Sequence, residues 1–345
     1  MKGIVSSIFL CIIIASSAQD KRYYACIVAF YNLENFYDTT HNTTINDEDF
    51  TPNGVKHYTS DIYFDKVNKL ATVLSMIGTD ITPVGPALIG VAEIENDTVL
   101  SDLIHHPLLS QRHYRIIHYD SKDPRGIDVG LLYNPKFFIP EKAEKLFVKL
   151  PGNSKAAFYT RDILYVTGQL AGEPVHIYVN HWPSRRGGEE RSSPARETAA
   201  AVCKKHISSI LEKEPTAKII LMGDLNDDPD SPSITDILKA KPKISETAPG
   251  ELFNPWAEPY SRGIGTLANR DSWGLFDQII ISHAWLNRNQ QGLFYHQKFI
   301  FSRNFMKEDA GRYKGYPMRT WDGNTYRGGY SDHFPTYIVL LKTIK

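Results

Sequence analysis

Apolar residues along this chain fall into short continuous runs, separated by stretches with helical spacing. "ACIVAFYNLENF" (25–36) reads as a first strand, with polar residues gathering at its C-terminal end. In "SDIYFDKVNKLATVLSMIG" (60–78) the apolar positions 63, 67, 70, 74 and 77 lie on one helical face, with Ser60 available as N-cap and Gly78 at the stop. "PALIGVAEI" is a near-continuous apolar strand, as expected where helices cover a sheet. A helix follows over about 97–109. "YRIIHY" and "IDVGLLYN" read as paired strands, and "RDILYVTGQL" and "PVHIYVNHW" as a hairpin around "AGEP". A second long helix is expected over 193–212, with Ala199, Cys203 and Ile207 on its apolar face and Pro194 in the first turn. "AKIILMGDLN" is a buried strand with an acidic end, followed by a short helix over about 232–240. Residues 241–270 read as irregular, "LFDQIIIS" as a strand and 291–330 as loop-rich. "SDHFPTYIVLL" closes the chain as a strand. The order suggests two α/β halves sharing one core, and no low-complexity linker divides them between 150 and 200.

The N-terminus adds a processing signal. "MKGIVSSIFLCIIIASSAQD" has a basic flank at Lys2, a short apolar run and small residues at Ser16 and Ala18. This pattern predicts a signal peptide over 1–18, too short for a spanning helix, and a secreted or periplasmic monomer with no stable membrane insertion. A buried first strand is the competing reading, and the position of Cys11 inside the apolar run argues against a lipid anchor. Residues 19–345 are then expected to form one domain. Cleavage removes Lys2 as the only charge, leaving 38 basic and 39 acidic residues, net −1. That balance excludes a broad sequence-blind grip on nucleic acid. The two remaining cysteines, Cys26 and Cys203, read as separate buried thiols rather than a disulfide scaffold.

The candidate chemistry lies where five apolar strands end. Asn32 and Glu34 follow the first, Glu93 and Glu95 lie in "GVAEIEN", and His181 ends the strand in "HIYVNHWPSRRGG". Asp224, Asn226, Asp227 and Asp228 follow "IILMG", and Asp332 and His333 precede the last strand. One acidic strand end is ordinary turn chemistry. Five on strands of a shared sheet edge point to a converging site. Carboxylate and amide ligands suit Mg2+, Mn2+ or Ca2+, and two histidines beside such an ion suit phosphoester chemistry.

Taken in order, "FYNLENF", "GVAEIEN", "DVGLLYN", "VNHWPSR", "GDLND", "FDQIIIS" and "SDHFP" resemble the endonuclease/exonuclease/phosphatase superfamily, the fold of deoxyribonuclease I and exonuclease III. The resemblance runs from about Ala25 to Leu341, and "VNHWPSR" is similar to a secreted bacterial branch. It implies a four-layer α/β sandwich, two facing mixed β-sheets flanked by helices. It also implies roles. Glu93 would be the principal metal ligand, with Asn32 and Asp332 in the metal-binding set. His181 would contact the scissile phosphate, Asp224 and Asn226 would belong to the catalytic set, and Asp277 would orient His333. Glu34 and Glu95 read as supporting or solvated groups. Asp128 is either a supporting contact or a strand start, and Tyr133 is packing.

Around this set, Arg185 is the arginine nearest His181 and is expected to steer or clamp a phosphate, against the alternative of a solvated loop. Trp321 and Arg327, with Tyr326 and Arg319, either stack on substrate or pack their own loop. The implied activity is divalent-metal-dependent hydrolysis of a phosphodiester, with nucleic acid (DNA or RNA) the first substrate class. A phosphomonoesterase or a lipid or small-molecule phosphodiesterase is the alternative. The rival from outside enzymology is a non-catalytic phosphate- or glycan-binding module.

Overall fold

The computed structural model describes residues 22–150, 159–269, 271–288 and 291–344. The expected signal peptide lies outside them. Strand alternation builds the architecture. In β1 (Arg22–Phe36), Cys26, Val28 and Phe30 face one way, while Ile27, Ala29 and Tyr31 face the other. The first set packs between two sheets. The second packs under α1 (Ser60–Met76), α2 (Asp97–His105) and the short α3 (Pro107–Ser110).

The first sheet has six strands in the order β13-β16-β1-β2-β4-β3. Besides β1 these are β2 (Leu88–Ile94), β3 (Arg115–His118), β4 (Asp128–Tyr133), β13 (Phe294–Ile300) and β16 (Thr336–Ile344). The second sheet, in the order β5-β6-β7-β8-β12-β9, is built from β5 (Phe138–Leu146), β6 (Ile163–Leu170), β7 (Glu173–His181), β8 (Ile219–Asp224), β9 (Leu252–Phe253) and β12 (Asp277–Ser282). Two small hairpins, β10 (Leu267–Asn269) with β11 (Ser272–Gly274) and β14 (Trp321–Asp322) with β15 (Thr325–Tyr326), complete the strands. Ile177, Val179, Ile220, Met222, Ile279 and Ile281 meet the inner face of the first sheet. Tyr178, Ile219 and Leu221 point outward, under α4 (Glu189–Leu211) and the π-helical stretch Ser233–Leu238. The result is the expected four-layer α/β sandwich.

Several boundaries differ from the sequence reading. Strand β13 falls in a stretch expected to be loop, and β5 has no counterpart in the sequence reading. Both are sheet edges. An edge strand with charges and a proline, like "FIPEKAEKL", lacks the apolar run of a central strand. Helix α4 begins at Glu189, earlier than expected, which leaves Pro194 inside it. Thr59, not Ser60, is the N-cap of α1, and Gly78 follows it at φ 67°. Cys26 and Cys203 are free and buried, as expected.

Candidate active site

Register brings the polar strand ends together. His181 pairs with Asp224 across the parallel β7–β8 ladder, and Asp277 pairs with Asp224 across the antiparallel β12–β8 ladder. These three residues form one row at the end of the second sheet. In the first sheet Asn32 lies opposite Ala92, and the next residue, Glu93, sits in a bulge at φ 61°. A left-handed glutamate in a strand is costly and persists where the surroundings dictate it. Here the bulge turns the carboxylate out of the sheet, and the backbone N–H of Asn35 donates to its Oε2 at 2.8 Å.

Asn32 holds the two sheets' acids together. Its amide nitrogen donates to Asp224 Oδ2 at 2.9 Å and to Glu93 Oε1 at 3.3 Å. Its oxygen accepts the Glu34 N–H at 2.9 Å, which fixes the orientation of the amide. Asn32 therefore spaces the two carboxylates through its amide nitrogen, while its oxygen is held by the Glu34 N–H. Asn226, at φ 49°, donates its side-chain amide to the Trp182 carbonyl, while its backbone N–H caps Asp224 Oδ1.

The two histidines sit in different surroundings. His333 Nδ1 lies 2.7 Å from Asp277 Oδ2, which also accepts the Thr266 hydroxyl. Its Nε2 lies 3.9 Å from Asp224 and 3.8 Å from Asp332. Burial alone lowers the pKa of this ring, but Asp277, Asp224 and Asp332 outweigh it and hold the pKa well above the ordinary range. His181 Nε2 faces Glu93 and Asp224, each at 3.7 Å, and its buried Nδ1 has no hydrogen-bond partner. Burial, followed by Arg161, Arg125 and His333, pushes its pKa well below the usual value. Asp224 is raised by burial and by Asp277, against the pull of His333.

Glu93, His181 and Asp224 each offer a ligand atom within 4.8 Å of the others, and so do Asp224, Asp277 and His333. Two carboxylates spaced by one amide beside a neutral imidazole fit a divalent cation, because the positive charge would offset their mutual repulsion. Asp332, partly exposed, lines the same cleft of about 910 Å3.

The expected substrate contacts divide differently. Trp321 is corrected: it is buried and packs against Phe50, Tyr58 and Tyr326, away from the cleft. Arg327 is exposed, does not line the cleft, and among the described residues its side chain has no hydrogen-bond partner, while its backbone N–H donates to the Thr320 carbonyl. Arg185 lines the cleft, but its guanidinium is engaged by Asp227, Asp228, Glu189 and the Asn226 carbonyl, and it lies 4.5 Å from the centre of the Phe276 ring. It braces the acidic turn after β8. Glu34 accepts the Thr320 and Trp321 N–H groups and sits beside the buried Lys66, a supporting position. Tyr133 is buried packing.

Two residues escaped the sequence reading. Arg161 donates to the carbonyls of His181 (3.1 Å) and Trp182 (2.6 Å) and to Asp123 Oδ2 (3.1 Å), so it fixes the backbone that presents His181. Arg125, from the same loop as Asp123, reaches the cleft wall. Arg125 lies in a polar loop with no periodic signal, and Arg161 stands at the polar start of "RDILYVTGQL", just before β6; the partners of Arg161 come from distant segments.

This fold and this convergence of acids and histidines define a phosphoester hydrolase. The chain belongs to the Endonuclease/Exonuclease/phosphatase family, whose model matches residues 27–342. It is similar in fold to an endonuclease/exonuclease/phosphatase family protein from Bacteroides thetaiotaomicron, at 16% identity and a TM-score of 0.56, covering 94% of this chain and 100% of that one. It is also similar to D. rerio TDP2 complexed with single strand DNA product (12%, TM-score 0.54, 92% and 98% covered). A third similar structure is a B. thetaiotaomicron mannosyl-6-phosphatase (16%, TM-score 0.52, 91% and 99% covered). Comparison with curated protein sequences gives no match.

Proposed function

We propose that this chain is a divalent-metal-dependent phosphoester hydrolase of a compact phosphorylated small molecule. Glu93 and Asp224 would hold the cation, with Asn32 setting their spacing and Asp332 at the cleft side of the site. Such a cation offsets the charge that builds on phosphoryl oxygens. His333, held by Asp277, carries a proton toward the phosphate. His181 meets the same phosphate from the second sheet as a neutral ring. Asn226 shapes the turn that places Asp224.

The observation that carries the substrate class is the charge of the cleft wall. Asp228, Asp230 and Glu189 line it together with Arg185, whose guanidinium Asp228, Glu189 and Asp227 engage. A polymer held through many phosphates needs a continuous cationic track. The charge of Arg185, the arginine expected to clamp a phosphate near His181, is instead offset by these acids. A nuclease is the second reading, favoured by Arg125 and Arg186 together with the rings of Trp273, Phe276 and Tyr260 on the cleft wall. D. rerio TDP2 with its DNA product and the mannosyl-6-phosphatase illustrate both substrate types on this fold.

The test is turnover of p-nitrophenyl phosphate, bis-p-nitrophenyl phosphate, sugar phosphates and plasmid DNA. EDTA should abolish activity, and Mg2+ or Mn2+ should restore it. Glu93→Gln should remove it with the fold intact. Monoester turnover with intact plasmid supports the proposal, whereas plasmid nicking with a steep salt dependence overturns it in favour of the nuclease. Binding without turnover across all substrates makes the protein a phosphate- or glycan-binding module. The same reading takes residues 19–345 as one monomeric catalytic domain, exported after removal of 1–18 as in a secreted bacterial branch of the family. Among the described residues no helix is long and apolar enough to cross a membrane. N-terminal sequencing of exported material should begin at Gln19, and Met1 there would remove the export proposal.

A further inference from the structure

We propose a second cation site, formed by His118, Asp120 and Asp128 at the base of the 119–127 loop, for a transition-metal dication such as Zn2+ or Mn2+. It lies outside the catalytic cleft and does not rest on the reading of that cleft. His118 ends β3, Asp120 follows two residues later, and Asp128 opens β4, so the two ends of the loop meet here.

The imidazole is the informative group. Only 2% of the His118 side chain is exposed. Its Nδ1 lies 3.0 Å from Asp97 Oδ1 at the start of α2. A carboxylate can only accept, so Nδ1 carries the hydrogen and a neutral ring has its lone pair on Nε2. That Nε2 is buried, has no hydrogen-bond partner, and points toward Asp128 Oδ2 at 3.6 Å and Asp120 Oδ1 at 4.0 Å. The ligand atoms of the three residues all lie within 4.8 Å of one another. Three lone-pair donors facing one another repel unless a positive charge sits among them. The two spacings to Nε2, 3.6 and 4.0 Å, lie within the span of donors gathered round an ion with bonds of about 2.0–2.2 Å.

The surroundings are those of a held ligand set. Asp97 orients the ring through its far nitrogen, as carboxylates do behind metal-bound histidines. The Ser121 N–H donates to Asp128 Oδ1 at 3.0 Å, leaving Oδ2 toward His118. Asp97 and His118 border a surface groove of about 650 Å3, which gives an ion access. One imidazole with two carboxylates suits Zn2+ or Mn2+ better than an all-oxygen Mg2+ site. The same loop carries Asp123, which holds Arg161 behind His181, and Arg125 on the cleft wall. A cation at its base would tie loop order to the site.

The competing occupant is a proton on Nε2, and the experiment separates the two. The full chain carrying Glu93→Gln and Asp224→Asn, which weakens the catalytic centre, is dialysed against Zn2+ and its metal content measured. One Zn2+ per chain is expected, lost on adding His118→Ala. Asp120 is largely exposed, so Asp120→Asn leaves the fold intact, and it should weaken binding about tenfold or more. Hydrogen exchange over 119–127 should slow on adding Zn2+ to the parent and not to the Asp120→Asn chain. No bound Zn2+, or Zn2+ retained unchanged through both substitutions, overturns the site and leaves His118 an imidazolium in an ion-pair cluster.

Discussion

The two histidine corners of the cleft are close in space and opposite in character. His333 faces carboxylates on every side, with Asp277 bonded to one ring nitrogen and Asp224 and Asp332 near the other. His181 has one buried nitrogen without a partner, and the guanidinium of Arg161 grips its backbone. Burial opposes the charged form of both rings, yet one ends well above the ordinary pKa and the other well below it. The difference comes from the neighbours: Asp277 bonds the His333 ring directly, whereas His181 has Glu93 and Asp224 no nearer than 3.7 Å, Arg161 behind its strand and Arg125 on the cleft wall. Titratable groups pushed apart in this way divide the roles of proton carrier and neutral contact within one site.

The sharpest way to break this contrast is at Asp277. Asp277→Asn removes the carboxylate that holds the proton on His333 while keeping its shape. We expect kcat/KM to fall about 10²–10⁴-fold, as for loss of a positioned acid or base, and His333→Ala to fall in the same range. The two variants together should cost little more than either alone, because they disable one unit. An Asp277→Asn protein at the wild-type rate would show that the His333 corner does not work as described.

The His181 corner is tested through Arg161. Arg161→Lys keeps the charge but loses the planar fork that reaches two carbonyls and Asp123. A small displacement of His181 should lower kcat by about 10–10²-fold. KM should change less, since Arg161 lies behind the strand and not in the cleft. If KM alone rises, Arg161 meets substrate and the positioning account fails.

The same contrast explains how much was legible in the sequence. Asn32, Glu93, His181, Asp224 and His333 stand out because each interrupts or ends an apolar run, and a strand's register then carries them to one edge. Asp277 is legible for the same reason. Asp123 carries no such mark, and although Arg161 flanks the apolar run of "RDILYVTGQL", its importance comes from a pairing with Asp123 across 38 positions that no periodicity encodes. The edge strands β5 and β13 were hidden because one flank has no neighbouring strand, so polar and charged residues interrupt their apolar positions. Trp321 misled for the opposite reason. An aromatic in a Gly- and Arg-rich loop looks like a ligand platform, and only packing shows that it belongs under that loop.

Trp321→Ala therefore tests stability more than catalysis. Removing a buried indole that touches Phe50, Tyr58 and Tyr326 should cost about 3–5 kcal/mol, read by denaturant unfolding. Its effect on KM at a temperature where the variant remains folded should be slight. A raised KM with unchanged stability would return Trp321 to the substrate side.

Arg327 should show the smallest effect of all. Its side chain is exposed, it does not line the cleft, and its hydrogen bond to the Thr320 carbonyl uses the backbone N–H, which Arg327→Ala keeps. Surface substitutions of this kind stay within about 0.5 kcal/mol. At ordinary ionic strength a charge beyond about 8–10 Å from the phosphate is largely screened. Arg327→Ala should thus leave kcat and KM unchanged on a small phosphoester and at most lower the association rate at low salt. A KM rise that persists at high salt would mean that the 318–330 loop closes onto bound substrate.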